Sequence, residues 1–448
     1  MAFLRAWLAR RHPAQLVVAA FAVGILVGAG LLMLPFATES GDRAPFLTAM
    51  FTSTSAICVT GLVVVDTPTY WSSFGEVVIM GLVQVGGFGI MTLASLVLFI
   101  FAGKLGLRGR LLAQAEVAAP LLSDVKRLVY AVATMSLVFE AIFATVLTIR
   151  WWTGYDYSFG RSLYLGVFHS ITAFNNAGFA LWTDNLTPFA TDGWICVTVA
   201  LAIIAGGIGF PVWLELWRTP RLPGRWSLHT KLTLVLTTLL LVGGTVAVLA
   251  FEWGNPGTLG PFDTGGKLLA GFFQAVSPRT AGFNTVDYGQ MEPETLFVTD
   301  FLMFVGAGSA STGGGIKVTT LAVLALMVWA ELRGEPNVSV FSRRVPAHAQ
   351  RQAFTVATIA LMAVVVSTLA LMAHSEFTLS QTLFEALSAF GTVGLSTGVT
   401  AGFGGFGEWI LIALMYLGRV GPHTLGIALV LRERRKLYRF PEERPIIG

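Results

Sequence analysis

Four times along this 448-residue chain a short apolar stretch, too brief to cross a lipid bilayer, stands between two long ones and ends in glycine followed by leucine or phenylalanine. Phe51-Thr52 precedes Gly61 by 10 residues, Phe168-His169 precedes Gly178 by 10, Phe273-Gln274 precedes Gly282 by 9, and Phe384-Glu385 precedes Gly394 by 10. The glycines lie 117, 104 and 112 residues apart, a period that fits one unit of a fourfold array and is too long for a solenoid repeat. One such motif constrains little. Four in register restrict the chain to a pseudo-fourfold arrangement of equivalent units.

Composition fixes the solvent. A mean hydropathy of +0.72 exceeds what a soluble core absorbs. Apolar residues make up 54% of the chain and charged ones only 12%, which places most of it in lipid. The net charge of +4 is too slight to indicate nucleic acid, and the basic residues fall in short loops, where they read as topology signals. Cys58 and Cys196 lie in different units without metal-ligand spacing and read as small apolar filler. Arg5, Arg10 and Arg11 precede an apolar run reaching Leu34, longer than a signal-peptide core and without a small-residue cleavage site, so it reads as a first span.

The expected fold is an all-α integral membrane protein of four tandem units, each an outer helix, a re-entrant pore segment and an inner helix. The units cover residues 1–110, 111–226, 227–345 and 346–448. The outward spans read as 13–34, 128–149, 228–251 and 352–372, and the return spans as 71–101, 193–217, 297–329 and 409–431, eight in all. The pore segments read as 46–56, 168–179, 271–283 and 379–390. These are short enough to dip and return, which is tolerable only when protein surrounds them. Arg5, Arg10, Arg11, Lys104, Arg108, Arg110, Lys126, Arg127, Arg218, Arg221, Arg225, Arg333, Arg343, Arg344, Arg351 and the run 432–436 put the loops between units, and both termini, in the cytoplasm.

The return spans share glycine elements: Gly86-Gly87-Phe88-Gly89, Gly206-Gly207-Ile208-Gly209, Gly306-Ala307-Gly308 and Gly418-Arg419-Val420-Gly421-Pro422. Close helix packing and flexible pore lining both account for them. The third is continued by Ser309-Ala310-Ser311-Thr312-Gly313-Gly314-Gly315 up to Lys317, a run that cannot hold a helix because each glycine costs up to about 1 kcal/mol relative to alanine. A helix broken at membrane depth is expected there, allowed where it faces protein or water.

A cation crossing lipid must exchange its hydration shell for oxygen ligands, and backbone carbonyls supply them without buried fixed charge. Glycine exposes carbonyls because it takes positive φ without penalty. Four short helices ending at Cys58, Phe174, Ser277 and Phe390 would also aim four negative dipole ends at one point. No acidic ring appears within the four motifs.

The quoted motifs Val59-Thr60-Gly61-Leu62, Asn176-Ala177-Gly178-Phe179, Thr280-Ala281-Gly282-Phe283 and Thr392-Val393-Gly394-Leu395, with their flanks, resemble in order the filter sequences of the KtrB/TrkH/HKT superfamily of potassium transporters. The match is to its KtrB branch and covers the whole chain. The resemblance implies a potassium selectivity filter lined by those sixteen residues, with potassium held at the four glycines. It implies a gate formed by Gly306, Gly308, Ser309, Ala310, Ser311, Thr312, Gly313, Gly314, Gly315 and Lys317, and by Arg419 from the last inner helix. It also implies no cofactor in this chain, a homodimer with one pore per subunit, and control by a cytosolic KtrA-like regulatory ring that carries ATP or ADP, since only 17 residues follow Leu431. The expected location is the cell membrane.

Several residues stay open. Thr52, His169, Gln274 and Glu385, equivalent in the four motifs, read either as structural hydrogen-bond partners or as ion contacts. Lys317 faces either the loop's carbonyls or the cytoplasm, and Arg419 either acts on the path or snorkels to the surface. Glu140 and Asp300 have no identifiable partner and are unassigned. A sodium-selective or proton-coupled member of the superfamily is an alternative. An intramembrane serine protease using Ser309 or Ser311 with His423 is a distant one, since it leaves the fourfold motif unexplained. No G-x-x-x-x-G-K-[ST] run supports nucleotide binding in this chain.

Overall fold

The computed structural model describes residues 13–88 and 125–421. Within them the chain is helical apart from one hairpin of two-residue strands, β1 (Ser339–Val340) and β2 (Arg343–Arg344). In chain order the helices are α1 (Pro13–Leu32), α2 (Phe46–Ile57), α3 (Ser73–Gly87), α4 (Val125–Gly154), α5 (Phe159–Phe174), α6 (Gly193–Ile208), α7 (Phe210–Arg218), α8 (Leu228–Glu252), α9 (Thr264–Val276), α10 (Pro293–Phe304), α11 (Val318–Leu332), α12 (Ala347–Met372), α13 (Leu379–Gly391) and α14 (Gly404–Val420). A one-turn helix, Thr67–Tyr70, and several 3₁₀ turns fill the connections. By length and composition five helices among the described residues can cross a membrane, or six if the bent pair α6 and α7 counts as one span.

Burial separates two kinds of helix. The long helices α1, α4, α8 and α12 expose apolar side chains such as Val27, Val138, Leu239 and Leu361, as lipid-facing surfaces do. The shorter α2, α5, α9 and α13 are enclosed, and the phenylalanine that opens each glycine motif, Phe51, Phe168, Phe273 and Phe384, is fully buried in all four copies. Two of these helices begin earlier than the sequence indicates: α5 starts at Phe159 rather than 168, and α9 at Thr264 rather than 271. Ser158 and Asp263 cap them by accepting Arg161 and Gly266 N–H, polar signals that lie outside the apolar run.

The expected return span over residues 193–217 is not one helix. It bends by 94° between α6 and α7. Gly209 holds a φ of 99°, Phe210 N–H leaves the helical ladder for the carbonyl of Ala310 at 3.2 Å, and Pro211 has no N–H to give. The stretch over 297–329 is interrupted between α10 and α11, across residues 305–317. In the fourth unit α14 stops at Val420, where Gly421 takes a φ of 85°. The expected continuations over 89–101 and 422–431, Gly89, Pro422 and His423 with them, the basic residues at 5, 10, 11, 104, 108, 110 and 432–436 and the side chains of Lys126 and Arg127 lie outside the described residues. At the other end of the second unit Asp192 caps α6, accepting Trp194 N–H at 2.9 Å, and pairs with Arg150 at 2.8 Å. Burial alone would push the Asp192 carboxyl up, but hydrogen bonds from Tyr155 and Arg150 outweigh it and hold it below the ordinary value.

The glycines in the inner helices have a packing role. A Cβ on Gly86 would lie 2.0 Å from the carbonyl oxygen of Ile57, on Gly206 1.8 Å from that of Phe174, and on Gly418 1.8 Å from that of Phe390. Those three carbonyls belong to the residue four before Gly61, Gly178 and Gly394. Inner helices and enclosed helices thus meet backbone to backbone at one equivalent point, a contact any side chain abolishes. Gly206→Ala and Gly418→Ala should each cost about 1–3 kcal/mol by forcing the helices apart. Gly243→Ala, at a helical site where nothing lies within 4 Å, should be neutral or slightly stabilising. Thermal unfolding of the three purified variants in detergent checks this, and equal midpoints for all three would remove the packing role.

Candidate functional site

The ends of α2, α5 and α13 repeat one hydrogen-bond pattern. Thr60 N–H donates to the Ser55 carbonyl at 2.7 Å, and Val59 N–H to that of Ala56 at 3.1 Å. The equivalent pairs are Ala177 to Thr172 and Asn176 to Ala173, then Val393 to Ser388 and Thr392 to Ala389. This is the paired closure of a helix by a left-handed residue, a position glycine usually fills. Here Val59, Asn176 and Thr392 fill it, with φ of 56°, 61° and 49°, and Thr280 takes 73° at the equivalent place after α9. Left-handed torsions are strained for valine and threonine, and such strain persists only where the surroundings enforce it.

Two residues further on, Gly61, Gly178, Gly282 and Gly394 again have positive φ, between 67° and 94°. The residues between, Thr60, Ala177, Ala281 and Val393, do not. Ordinary extended backbone points successive carbonyls to opposite sides, and alternating handedness turns them toward the same side. The four glycines also touch. A Cβ on Gly61 would lie 2.3 Å from the carbonyl oxygen of Ala177, on Gly178 2.8 Å from that of Ala281, on Gly282 2.4 Å from that of Val393, and on Gly394 2.0 Å from that of Thr60. Each partner is the residue just before the next glycine, so the order closes into a ring. The residues that follow the glycines, Leu62, Phe179, Phe283 and Leu395, are buried in all four copies.

Side chains brace the ring. Gly61 N–H donates to Ser55 Oγ at 3.0 Å, and Gly394 N–H to Ser388 Oγ at 3.1 Å. In the third motif, shorter by one residue, Ala281 N–H reaches Ser277's carbonyl at 2.9 Å, while Ser277 Oγ donates to the carbonyl of Phe283. The polar residues near the start of each motif tie the chain that leaves the ring. Leu181 N–H donates to His169 Nε2 at 3.2 Å, Gln274 pairs with Thr285 Oγ1 at 2.9 Å, and Glu385 accepts Thr397 N–H at 3.0 Å, each partner standing three residues past its glycine. Glu385 also accepts Ser396 Oγ at 2.6 Å and Thr400 Oγ1 at 2.8 Å. Thr52 is buried in the equivalent place.

The glycine-rich segment lies against the residues that lead into the ring. A Cβ on Gly313 would meet Thr280 Oγ1 at 2.2 Å and one on Gly314 would meet Thr392 Oγ1 at 2.3 Å. Thr312 Oγ1 donates to the carbonyl of Phe174 at 3.2 Å. The segment's own backbone pairs with the break in the second unit: Gly308 N–H donates to Gly207 and Thr312 N–H to Gly206, at 2.8 and 3.3 Å. Arg419, buried, donates to the carbonyls of Thr312 and Gly86. Lys317 Nζ donates to those of Gly313 at 2.5 Å and Gly314 at 3.2 Å, so it faces the segment. Gly306 packs on Gly314 and Gly315 on Gly391, while Ser309 Oγ pairs with Thr319 Oγ1. Thr60 Oγ1, Thr392 Oγ1 and Ser311 Oγ are buried with no partner.

Glu140 does have partners, which corrects the sequence reading. Gln84 Nε2 donates to both its oxygens and Asn175 Nδ2 to one, all at 3.0 Å. These residues stand 56 and 35 positions from Glu140. Asp300 Oδ1 is buried without one. Both cysteines are free and buried, and no group of His, Cys, Asp and Glu among the described residues could hold a metal ion.

The family model for the TrkH cation transport protein matches residues 5–436. Among curated relatives, the Ktr system potassium uptake protein B of Bacillus subtilis is 41% identical over 439 residues, 98% of this chain and 97% of that one. The protein of the same description from Vibrio alginolyticus is 40% identical, over 97% and 94% of the two chains. The potassium/sodium uptake protein NtpJ of Enterococcus hirae is 35% identical over 98% of each. Among solved structures, the potassium transporter TrkH of Vibrio parahaemolyticus superposes with a TM-score of 0.70 at 19% identity, covering 93% of this chain and 84% of that one, a likeness of fold.

The brace at Glu385 is testable by stability. Glu385→Ala removes the acceptor of one buried donor, Thr400 Oγ1, and of two part-buried ones, Ser396 Oγ and Thr397 N–H, a loss of about 1–3 kcal/mol in all because Thr400 Oγ1 can still turn to Ser396 Oγ, whereas Glu385→Gln keeps one acceptor oxygen and should lose less. Thermal unfolding should rank wild type, Gln, Ala. An alanine variant as stable as wild type would deny the brace.

Proposed function

The chain belongs to the TrkH family of cation transport proteins and is a multi-pass membrane protein, not an enzyme. From that premise we propose that it takes up potassium across the cell membrane through a filter lined by backbone carbonyls. The observation that carries this reading is the closed ring of Gly61, Gly178, Gly282 and Gly394, each at positive φ and each behind a second left-handed residue. Carbonyls of Val59, Thr60, Asn176, Ala177, Thr280, Ala281, Thr392 and Val393 then add ligands, and the ends of four short helices supply negative potential. The full reading is eight spans in four units, with the glycine elements bending the inner helices.

The segment from Gly306 to Lys317 acts in this reading as the gate. Its glycines lie against Thr280 and Thr392 at the inner end of the ring, and Arg419 and Lys317 hold its carbonyls. Two cations under the filter also oppose cation passage while the segment stays in place. The relatives' names place them in a system, which supports a partner component; in this reading the chain is a homodimer and the partner a cytosolic, nucleotide-binding regulatory ring acting through α11. Sodium in the name of one relative makes sodium the second ion to test.

Flux into liposomes loaded with potassium or sodium tests the transport reading directly. Gly61→Ser places a side chain where the carbonyl of Ala177 stands, so it should lower the preference for potassium over sodium; unchanged relative uptake of the two ions would count against the filter. Deleting residues 309–314 should raise flux and leave that preference nearly intact, because the ring is untouched. Wild-type flux in a deletion variant that inserts normally would reduce the segment to a packing irregularity.

A further inference from the structure

The chain leaving the ring after Gly178 is held unlike the other three. Asn185 N–H donates to the carbonyl of Trp182 at 3.0 Å, and Asn185 closes this turn with a φ of 55°, a left-handed torsion that asparagine tolerates. Leu186 N–H donates to the carbonyl of Asn284 at 3.1 Å, which latches the turn onto the chain that follows Gly282. This posture brings the Asn185 side chain back to the ring. Its Nδ2 lies 3.4 Å from the carbonyl oxygen of Gly178, and among the described residues no other side-chain donor reaches a carbonyl of the four glycines. The other end of the same amide, Oδ1, is buried and has no partner.

An amide kept only to pin a turn would satisfy both ends, because a buried acceptor without a donor is costly. Here one end makes a bond at the long limit and the other makes none. We propose that Asn185 is a specificity-determining residue of the ion path, its amide donating to Gly178 when no ion is bound and turning Oδ1 toward a dehydrated monovalent cation when one enters the ring. This rests on the carbonyl ring being the path. A half-turn about Cβ–Cγ exchanges the two ends and sets Oδ1 near the present Nδ2 position, beside the Gly178 oxygen. Two such oxygens repel unless a cation lies against both. The amide oxygen adds a ligand without adding buried charge, and the N–H steadies the Gly178 carbonyl between ions.

The test uses the full-length chain in liposomes, with potassium uptake measured as a function of potassium and in competition with sodium. Asn185→Gly keeps the left-handed torsion and the latch to Asn284, so a role confined to the turn leaves ion behaviour unchanged. The proposal expects Asn185→Gly to raise the half-saturating potassium concentration by about fivefold, the scale of one net hydrogen-bond contact, and to narrow the preference over sodium, with the unfolding temperature unmoved. Asn185→Asp retains Oδ1 and should bind potassium at least as tightly as wild type. Wild-type half-saturation and selectivity in Asn185→Gly, or a weakening in Asn185→Asp equal to that in Asn185→Gly, overturns the proposal while the carbonyl ring stands. Failure of the chain lacking residues 309–314, from which the proposed gate is removed, to pass potassium in the same liposomes overturns both.

Discussion

Four backbones approach one another here more closely than any side chain permits. The volume a Cβ would occupy at each ring glycine is taken by the carbonyl that precedes the next one, and the volume at Gly86, Gly206 and Gly418 by the ends of the enclosed helices. The first set of contacts brings carbonyl oxygens together, which repel. The surrounding protein must therefore hold them, and a set of buried polar side chains does so. Ser55, Ser277 and Ser388 grip the ring from behind, while His169, Gln274 and Glu385 tie down the chain that leaves it.

The segment beneath the ring meets the same constraint from the other direction. Non-helical backbone at membrane depth needs partners from protein or water. Here the protein supplies them twice. The break at Gly209 frees the carbonyls of Gly206 and Gly207 to accept N–H groups from Thr312 and Gly308, and Arg419 and Lys317 take up carbonyls of Thr312, Gly313 and Gly314. One irregular stretch satisfies another, so displacing either exposes both. That reciprocity makes a two-position element physically reasonable, since intermediate positions would leave backbone groups unmet.

What the sequence discloses follows from how locally each feature is determined. The ring glycines and the interruption between α10 and α11 were legible because their conformational need is met by a residue type that stands out in an apolar context. The break at Gly209 was written just as locally, in Gly209-Phe210-Pro211, but hydropathy reads straight through it. The starts of α5 and α9 were missed because Ser158 and Asp263 are polar and precede the apolar run. Glu140 was opaque for another reason: Gln84 and Asn175 come from other helices, and no spacing rule reaches them. The left-handed torsions at Val59 and Thr392 run against residue preference, so only the fold reveals them.

The third motif is one residue shorter than its three counterparts, and its closure departs from theirs. A channel assembled from four identical subunits cannot contain such an exception, because any substitution there is made four times over. A chain that carries all four quarters can alter one and leave three as they were. Each carbonyl around the ring is thereby open to separate adjustment, by steps a quarter the size of those available to a symmetric assembly, and a change too severe for the whole ring can persist when confined to one corner of it.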